Sequence, residues 1–433
     1  QEGPPRNRTG NPLETPGNRS TMRTSVIALS LIGAANAQVY SALHGYTPVS
    51  DLSVTAKIDF DQQGLMDAVG EDPVNFDLAK EKYTNGGNAG TQTLQKLSTM
   101  MGDKADALSI KMASDSSISV VEAYASYWSA NPIAGDTSTV CKSGSVVSGC
   151  PNYADVMVTA ALNNKGDYFL ETPGARDVAR AQIAKKGTSY HNAWLYSVSE
   201  LSSAIAMAEK IDTSTKKTTD GTMTVEQSVG AKIDSAWAYW VGSQNGNMPQ
   251  SLAKSRGKNF GTCSKIPDAL TAAFNTAQSY AKTDTFDKAK FIKAATDLVP
   301  LMTVPLIQGC LRYANRAEGM MMDLAAGDVA NLAILSEAHV FCNAVYPQMV
   351  SSDAKTVRDM LAPTSKMTIS ASTINTALEN NYARMSVTKE QIGTWKAEDY
   401  DCDSLSSAAA SGAASVLVTL SAAVVALFGA RRH

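Results

Sequence analysis

Three stretches of the chain place phenols, acids and imidazoles within reach of one another. Tyr190, His191, Tyr196 and Glu200 share the first, and Tyr196 and Glu200, four apart, fall on one helical face. Asp234 and Tyr239 share the second. In the third, His339, Asn343 and Tyr346 follow at helical spacing, while Glu337, two residues from His339, points elsewhere on a regular helix. A hard trivalent cation prefers anionic oxygen from carboxylate or phenolate and accepts imidazole. Its own charge keeps a coordinating phenol deprotonated well below the free pKa. His191, Tyr196, Asp234, Tyr239, Glu337 and His339 are therefore the candidate ligands of a ferric ion. Arg312 and Arg316, four apart, form a candidate anion site, because paired guanidiniums grip planar oxyanions such as carbonate through forked hydrogen bonds.

Each of these groups has an ordinary alternative. Trp194, Trp237, Tyr239 and Trp240 at helical spacing suit a core with wet hydroxyls. His339 on an apolar helix suits a satisfied core histidine. Glu122 and Glu337 could cap a helix or pair with Arg312 or Arg316, and the arginines could lie on the surface or pair with acids. Met320, Met321 and Met322 suit packing.

Conventional catalysis has little foothold. The chain contains no GxSxG, HExxH, P-loop or kinase set, and no GxGxxG following a strand. No enzyme activity is expected. The chain is mildly acidic, with formal net charge −3, and its central body is more acidic than that because both ends are basic. This balance disfavours nucleic acid as a partner.

The elements that must position these residues read as helices, giving a mainly α fold. Apolar and aromatic residues recur at helical spacing over 120–130, 153–162, 176–210, 223–243, 266–281, 286–298, 301–325, 328–348 and 371–385. Residues 53–60 alternate weakly and are the one strand candidate. Two loops are expected, 131–152 and a Gly-, Asn- and Ser-rich stretch at 243–265. A faint repeat links Phe76-Asp-Leu-Ala-Lys80 to Phe286-Asp-Lys-Ala-Lys290, and Glu122-Ala-Tyr to Glu337-Ala-His. It suggests two related helical halves, 38–215 and 222–403, joined by the polar stretch 213–222, with a cleft between them as a natural ligand site.

Both ends look like processing signals. Residues 1–21 have no apolar periodicity and read as translated upstream sequence, or else a disordered arm. Residues 22–37 have the layout of a secretory signal peptide, with Arg23, an apolar run and Ala35-Asn36-Ala37. Residues 404–433 combine small residues, a short spacer and an apolar tail. That pattern suits a lipid-anchor signal, with a single-pass helix as the alternative. A cell-surface or periplasmic protein held to the membrane is expected. The six cysteines suit disulfides in such a compartment, with Cys141 and Cys150 as the expected pair and the other four left open.

Three motifs carry a resemblance: Asp234-Ser-Ala-Trp-Ala-Tyr-Trp-Val-Gly-Ser, Asn259-Phe-Gly-Thr-Cys263 and Val304-Pro-Leu-Ile-Gln-Gly-Cys-Leu-Arg-Tyr-Ala314. With Glu337-Ala and the proline that follows, the chain resembles the algal iron-assimilating, low-iron-inducible periplasmic proteins, relatives of the phytotransferrins, over most of residues 38–400. The resemblance implies a cell-surface protein that captures ferric iron together with carbonate and aids its uptake, with any downstream transporter or reductase left open. The competing expectation is a structural or adhesive surface protein without a metal.

Overall fold

The computed structural model describes residues 40–99, 109–132, 147–165, 173–244, 246–319, 329–361 and 368–404. Within them the chain is mainly helical, as its apolar spacing predicts. The first helices are α1 (Ile58–Ala68), α2 (Phe76–Asn85), α3 (Leu94–Thr99), α4 (Val120–Ala130), α5 (Tyr153–Leu162), α6 (Pro173–Lys186), α7 (Ala193–Glu209) and α8 (Ala231–Val241). They are followed by α9 (Pro249–Phe260), α10 (Lys265–Tyr280), α11 (Lys288–Arg316), α12 (Val329–Asn343), α13 (Ser351–Leu361), α14 (Ala371–Glu379) and α15 (Lys389–Ile392). Two short antiparallel ladders are the only sheets among the described residues: Lys111–Met112 with Asp115–Ser119, and Ile211–Asp212 with Lys217–Thr218.

Local chemistry explains the helix boundaries. Ser119 and Glu122 close a reciprocal capping box at the start of α4, so Glu122 serves as a cap. Asn75 and Asp287 cap α2 and α11. Pro249 stands at the first turn of α9, where its missing N–H costs nothing.

Three sequence expectations change. Residues 53–60 form a 3-10 turn, Thr55–Lys57, running into α1, not a strand. Their alternation misleads because buried polar residues break the helical stripe: Asp59 is fully buried and accepts from the Ser243 and Gln244 backbone and the Ser243 hydroxyl. The expected loop 243–265 contains α9, which buries Leu252, Ala253, Arg256 and Phe260 on one side. The separate helices 286–298 and 301–325 are one helix, α11, which runs through Pro300 and Pro305. Its apolar character passes the length and hydropathy of a membrane span, yet 72% of that window is buried inside the protein. It is the central core helix.

Packing is organised by two long rods. One is α11, against which α7, α9, α10, α12 and α14 all lie. The other runs from α6 to α7 through a π-helical turn, Gly187–Asn192. Its first part packs on α12 and its second part on α8. Residues from Val39 onward group as one compact unit, with helices from both expected halves interleaved in a common core.

Two disulfides join described cysteines, Cys263–Cys402 and Cys310–Cys342. Cys150 is also disulfide-bonded, while its expected partner Cys141 lies outside the described residues. The leader at 22–37, the segment 1–21, the tail from 405 and the Met320–Met322 run lie outside them too.

Candidate functional site

The eight candidate ligand and anion residues do not meet at one point; they fall into separate neighbourhoods. Asp234 is fully buried and is engaged by the Tyr46 hydroxyl at 2.5 Å, the Val49 and Ser50 backbone N–H groups at 2.9 and 2.7 Å, the Ser50 hydroxyl at 2.6 Å and the Gln278 amide. Both of its oxygens are committed, so this carboxylate clamps the N-terminal segment onto α8 instead of facing a metal.

His191 sits on the π turn inside an aromatic cage. Its Nε2 meets the Tyr153 hydroxyl, and the Tyr124 ring lies 6.4 Å away. Burial lowers its pKa to about 3, so it stays neutral. His339 behaves alike, with burial lowering its pKa to about 3 and Asn343 bonded to its Nε2 at 2.7 Å. As the spacing predicts, Glu337 and His339 on α12 face different surroundings.

Tyr196 and Tyr239 bring α7 and α8 together, edge to face at 4.8 Å. Beside them is Glu200, buried and ion-paired with Lys232 at 2.9 Å. Burial and then the Glu200 charge push both phenols well above their usual range.

The remaining candidates, Glu337, Arg312 and Arg316, converge with Tyr190, which the sequence placed beside His191 without counting it as a ligand, and with three residues that sequence reasoning passed over: Lys186, Arg256 and Tyr313. Lys186 and Tyr190 come from the end of α6 and the π turn, Arg256 from α9, Arg312, Tyr313 and Arg316 from α11, and Glu337 from α12. Glu337 pairs with Lys186 at 3.2 Å and with the Tyr313 hydroxyl. The Phe341 ring lies between the two phenols, stacked on Tyr190 at 5.6 Å and on Tyr313 at 5.5 Å. Over the Tyr313 ring stand the guanidiniums of Arg312 at 5.4 Å, Arg256 at 5.6 Å and Arg316 at 5.6 Å.

The scaffold beneath is tightly fixed. Cys310–Cys342 ties α11 to α12 with Cα atoms 4.7 Å apart, next to Tyr313 and Phe341 in sequence. Gly309 makes this approach possible, since a Cβ there would lie 2.5 Å from the Phe341 ring. The site spans the burial range, from Arg256, Tyr313 and Glu337 in the interior through half-buried Tyr190, Lys186 and Arg312 to exposed Arg316.

Its electrostatics are unbalanced. Lys186 pairs with the one carboxylate, while three guanidiniums, those of Arg256, Arg312 and Arg316, stand over the Tyr313 ring. Burial works against the Lys186 charge, but Glu337, Tyr190 and Tyr313 outweigh it and hold its pKa above the usual value. Burial and then Glu337 push the Tyr313 phenol up, with Arg256 and Lys186 pulling the other way. Burial depresses Arg256 most, but a guanidinium remains charged in a protein. Arg256 donates through Nη1 to the Asn259 side-chain oxygen, and its buried Nε–H has no acceptor among the described residues. A buried, unsatisfied cationic donor is costly.

Chemically, the cluster sets guanidinium donors, the groups whose forked hydrogen bonds suit planar oxyanions, beside two phenols and a carboxylate. Among the described residues no three His, Cys, Asp or Glu side chains gather to hold a metal ion. The oxygen donors here are chiefly phenols. An open groove of about 770 Å³ lies elsewhere, lined by Glu71, Asp72, Asp77 and Arg180 among others. Its Arg180 is already held by the Ala161 and Leu162 carbonyls and Asp177, and so offers no comparable surplus charge.

No family model, curated protein or solved structure matches this chain.

Proposed function

We propose that the protein captures ferric iron together with carbonate at the Lys186–Tyr190–Arg256–Tyr313–Glu337 cluster, as a binding protein and not a catalyst. The observation that carries this reading is the surplus of cationic groups, with the buried Arg256 Nε–H lacking an acceptor among the described residues, directly beside two phenols and a carboxylate. A carbonate on Arg256 and Arg312 would satisfy the orphaned donor and bring negative charge to the site. Glu337 and Tyr313 would then supply hard oxygens to the trivalent ion, whose charge drives the phenol to ionise. Lys186 would give up Glu337 as the metal arrives. The iron is cargo, passed to a separate transporter or reductase. The disulfides accord with an oxidising compartment at the cell surface or in the periplasmic space, and membrane attachment through residues 404–433 belongs to the same proposal.

Titration of the protein with ferric nitrilotriacetate, with and without bicarbonate, tests this. A visible phenolate-to-iron absorption band that depends on bicarbonate is expected. A protein that stays colourless and retains no iron by elemental analysis ends the reading. A second reading, a structural or adhesive surface protein, draws on the Lys186–Glu337 pair, which already gives the carboxylate a partner. The same titration separates the two.

A further inference from the structure

The segment that follows α15 lies along the end of α9 and reaches the site through two side chains. The Thr394, Lys396 and Tyr400 backbone N–H groups donate to the carbonyls of Phe260, Asn259 and Lys258 at 3.0, 3.1 and 2.9 Å. Those carbonyls belong to the last turn of α9, where a helix leaves its acceptors unused. The Tyr400 ring covers Gly261, where a Cβ would lie 3.0 Å from it, and Cys402 is bonded to Cys263 just beyond. The strap formed by residues 394–402 is thus tied down along its length and locked at its end.

Within this strap Asp399 accepts from the Asn259 side-chain Nδ2 at 2.5 Å, and the Asn259 Oδ1 accepts from Arg256 Nη1. Arginine can only donate, so the amide must turn its oxygen toward Arg256 and its NH2 toward the strap. Asp399 fixes that orientation from the far side. Asn259 is buried, whereas Asp399 is exposed. The link therefore joins a surface residue to the buried guanidinium at the centre of the cluster.

We infer that Asn259 and Asp399 are positioning residues that aim Arg256 at the anion, with the Cys263–Cys402 disulfide holding the strap that carries Asp399. This rests on the anion and iron reading above. The orphaned Nε–H is presented in one direction because Nη1 is anchored in another, and a free Arg256 would spend binding energy on being ordered.

The test compares wild type, Asp399→Ala, Asp399→Asn and the double variant C263S/C402S, titrated with bicarbonate at fixed ferric nitrilotriacetate. Asp399→Ala is expected to raise the bicarbonate concentration for half-maximal absorption roughly three- to tenfold. Asp399→Asn keeps an acceptor and should restore the wild-type midpoint. C263S/C402S should shift the midpoint in the same direction as Asp399→Ala. Calorimetric titration with bicarbonate alone should reproduce the order. Circular dichroism and melting temperature should not change for Asp399→Ala, since the residue is exposed. A wild-type response to bicarbonate that Asp399→Ala reproduces unchanged overturns this inference alone. A wild type with no response to bicarbonate overturns the capture reading and this inference with it.

Discussion

Two regions of the molecule carry the same set of four side chains, one lysine, two tyrosines and one glutamate. Lys186, Tyr190, Tyr313 and Glu337 form one, and Lys232, Tyr196, Tyr239 and Glu200 the other. Each has a lysine–glutamate pair, at 3.2 Å and 2.9 Å. Both draw on the same rod: Lys186 and Tyr190 lie before or within its π turn, and Tyr196 and Glu200 lie after it. They differ in what surrounds the pair. Over the Tyr313 ring beside Glu337 stand three guanidiniums, one with a buried donor unmet among the described residues. Around Glu200 the lysine answers the carboxylate and the phenols pack edge to face as core rings. Composition alone does not separate the two regions; surplus charge held in place by the fold does. Four predictions press on this contrast.

The largest effect is expected from Tyr313→Phe and Glu337→Gln. Each removes an oxygen donor of the proposed iron site and leaves the scaffold of Cys310–Cys342 and Phe341 in place. Iron affinity should fall by more than roughly a hundredfold, beyond what loss of an outer-shell contact costs. Absorption titration reads this directly. Retention of the band in both variants would remove the distinction between the two regions.

Asp234→Ala sharpens the contrast from the other side. Asp234 shares the carboxylate chemistry of Glu337, but its oxygens are saturated by neutral donors from Tyr46, Val49, Ser50 and Gln278. Removing it strands those donors in the interior and should lower unfolding stability by about 3 kcal/mol. In the folded fraction the iron midpoint should stay at the wild-type value. Denaturant unfolding and iron titration on the same samples decide the matter, and a shifted midpoint would return Asp234 to the metal site.

How much of this was legible in the sequence follows from the same physics. Helices with a clean apolar stripe, such as α4 and α5, appear at the expected residues. α9 was hidden because Gly, Asn and Ser mimic a loop, although Gly257 is there to let the Cys263 backbone approach, a Cβ lying 1.9 Å from its carbonyl oxygen. With α9 went Arg256, the residue on which the site turns. Tyr313 was overshadowed by the more conspicuous Arg312 and Arg316 on either side of it. Asp234 and Glu337 look equivalent in sequence, because the partners that distinguish them come from segments nearly two hundred and about one hundred and fifty residues away.

A smaller effect concerns His191, which anchors the π turn between the two regions. Burial holds its folded pKa near 3, below the ordinary histidine value of about 6.5. The unfolded chain therefore binds the extra proton first. The neutral, buried state contributes its full stability above pH 6.5 and loses it as pH falls from there toward 3, at about 1.4 kcal/mol per pH unit. His339 is depressed in the same way. His191→Gln should therefore remove about half of the two-histidine slope, measured by urea unfolding between pH 6.5 and 5. An unchanged slope would mean that the imidazole is not neutral in the fold.

The smallest effect is assigned to Tyr196→Phe, and it bears most directly on the comparison. The substitution keeps the ring that packs on Tyr239 at 4.8 Å and removes only the hydroxyl beside Glu200. Lys232 still answers that carboxylate, so the cost should be about 1 kcal/mol or less, the worth of one hydrogen bond. Iron and bicarbonate midpoints should not move, in contrast to Tyr313→Phe. The two variants delete the same atom from phenols of the same burial, each next to a glutamate that holds a lysine. A difference between them would point to the guanidiniums around Tyr313, the charged groups that set its surroundings apart. Equal loss of the iron band in both would mean that the phenol–carboxylate pair suffices and the surplus charge is incidental.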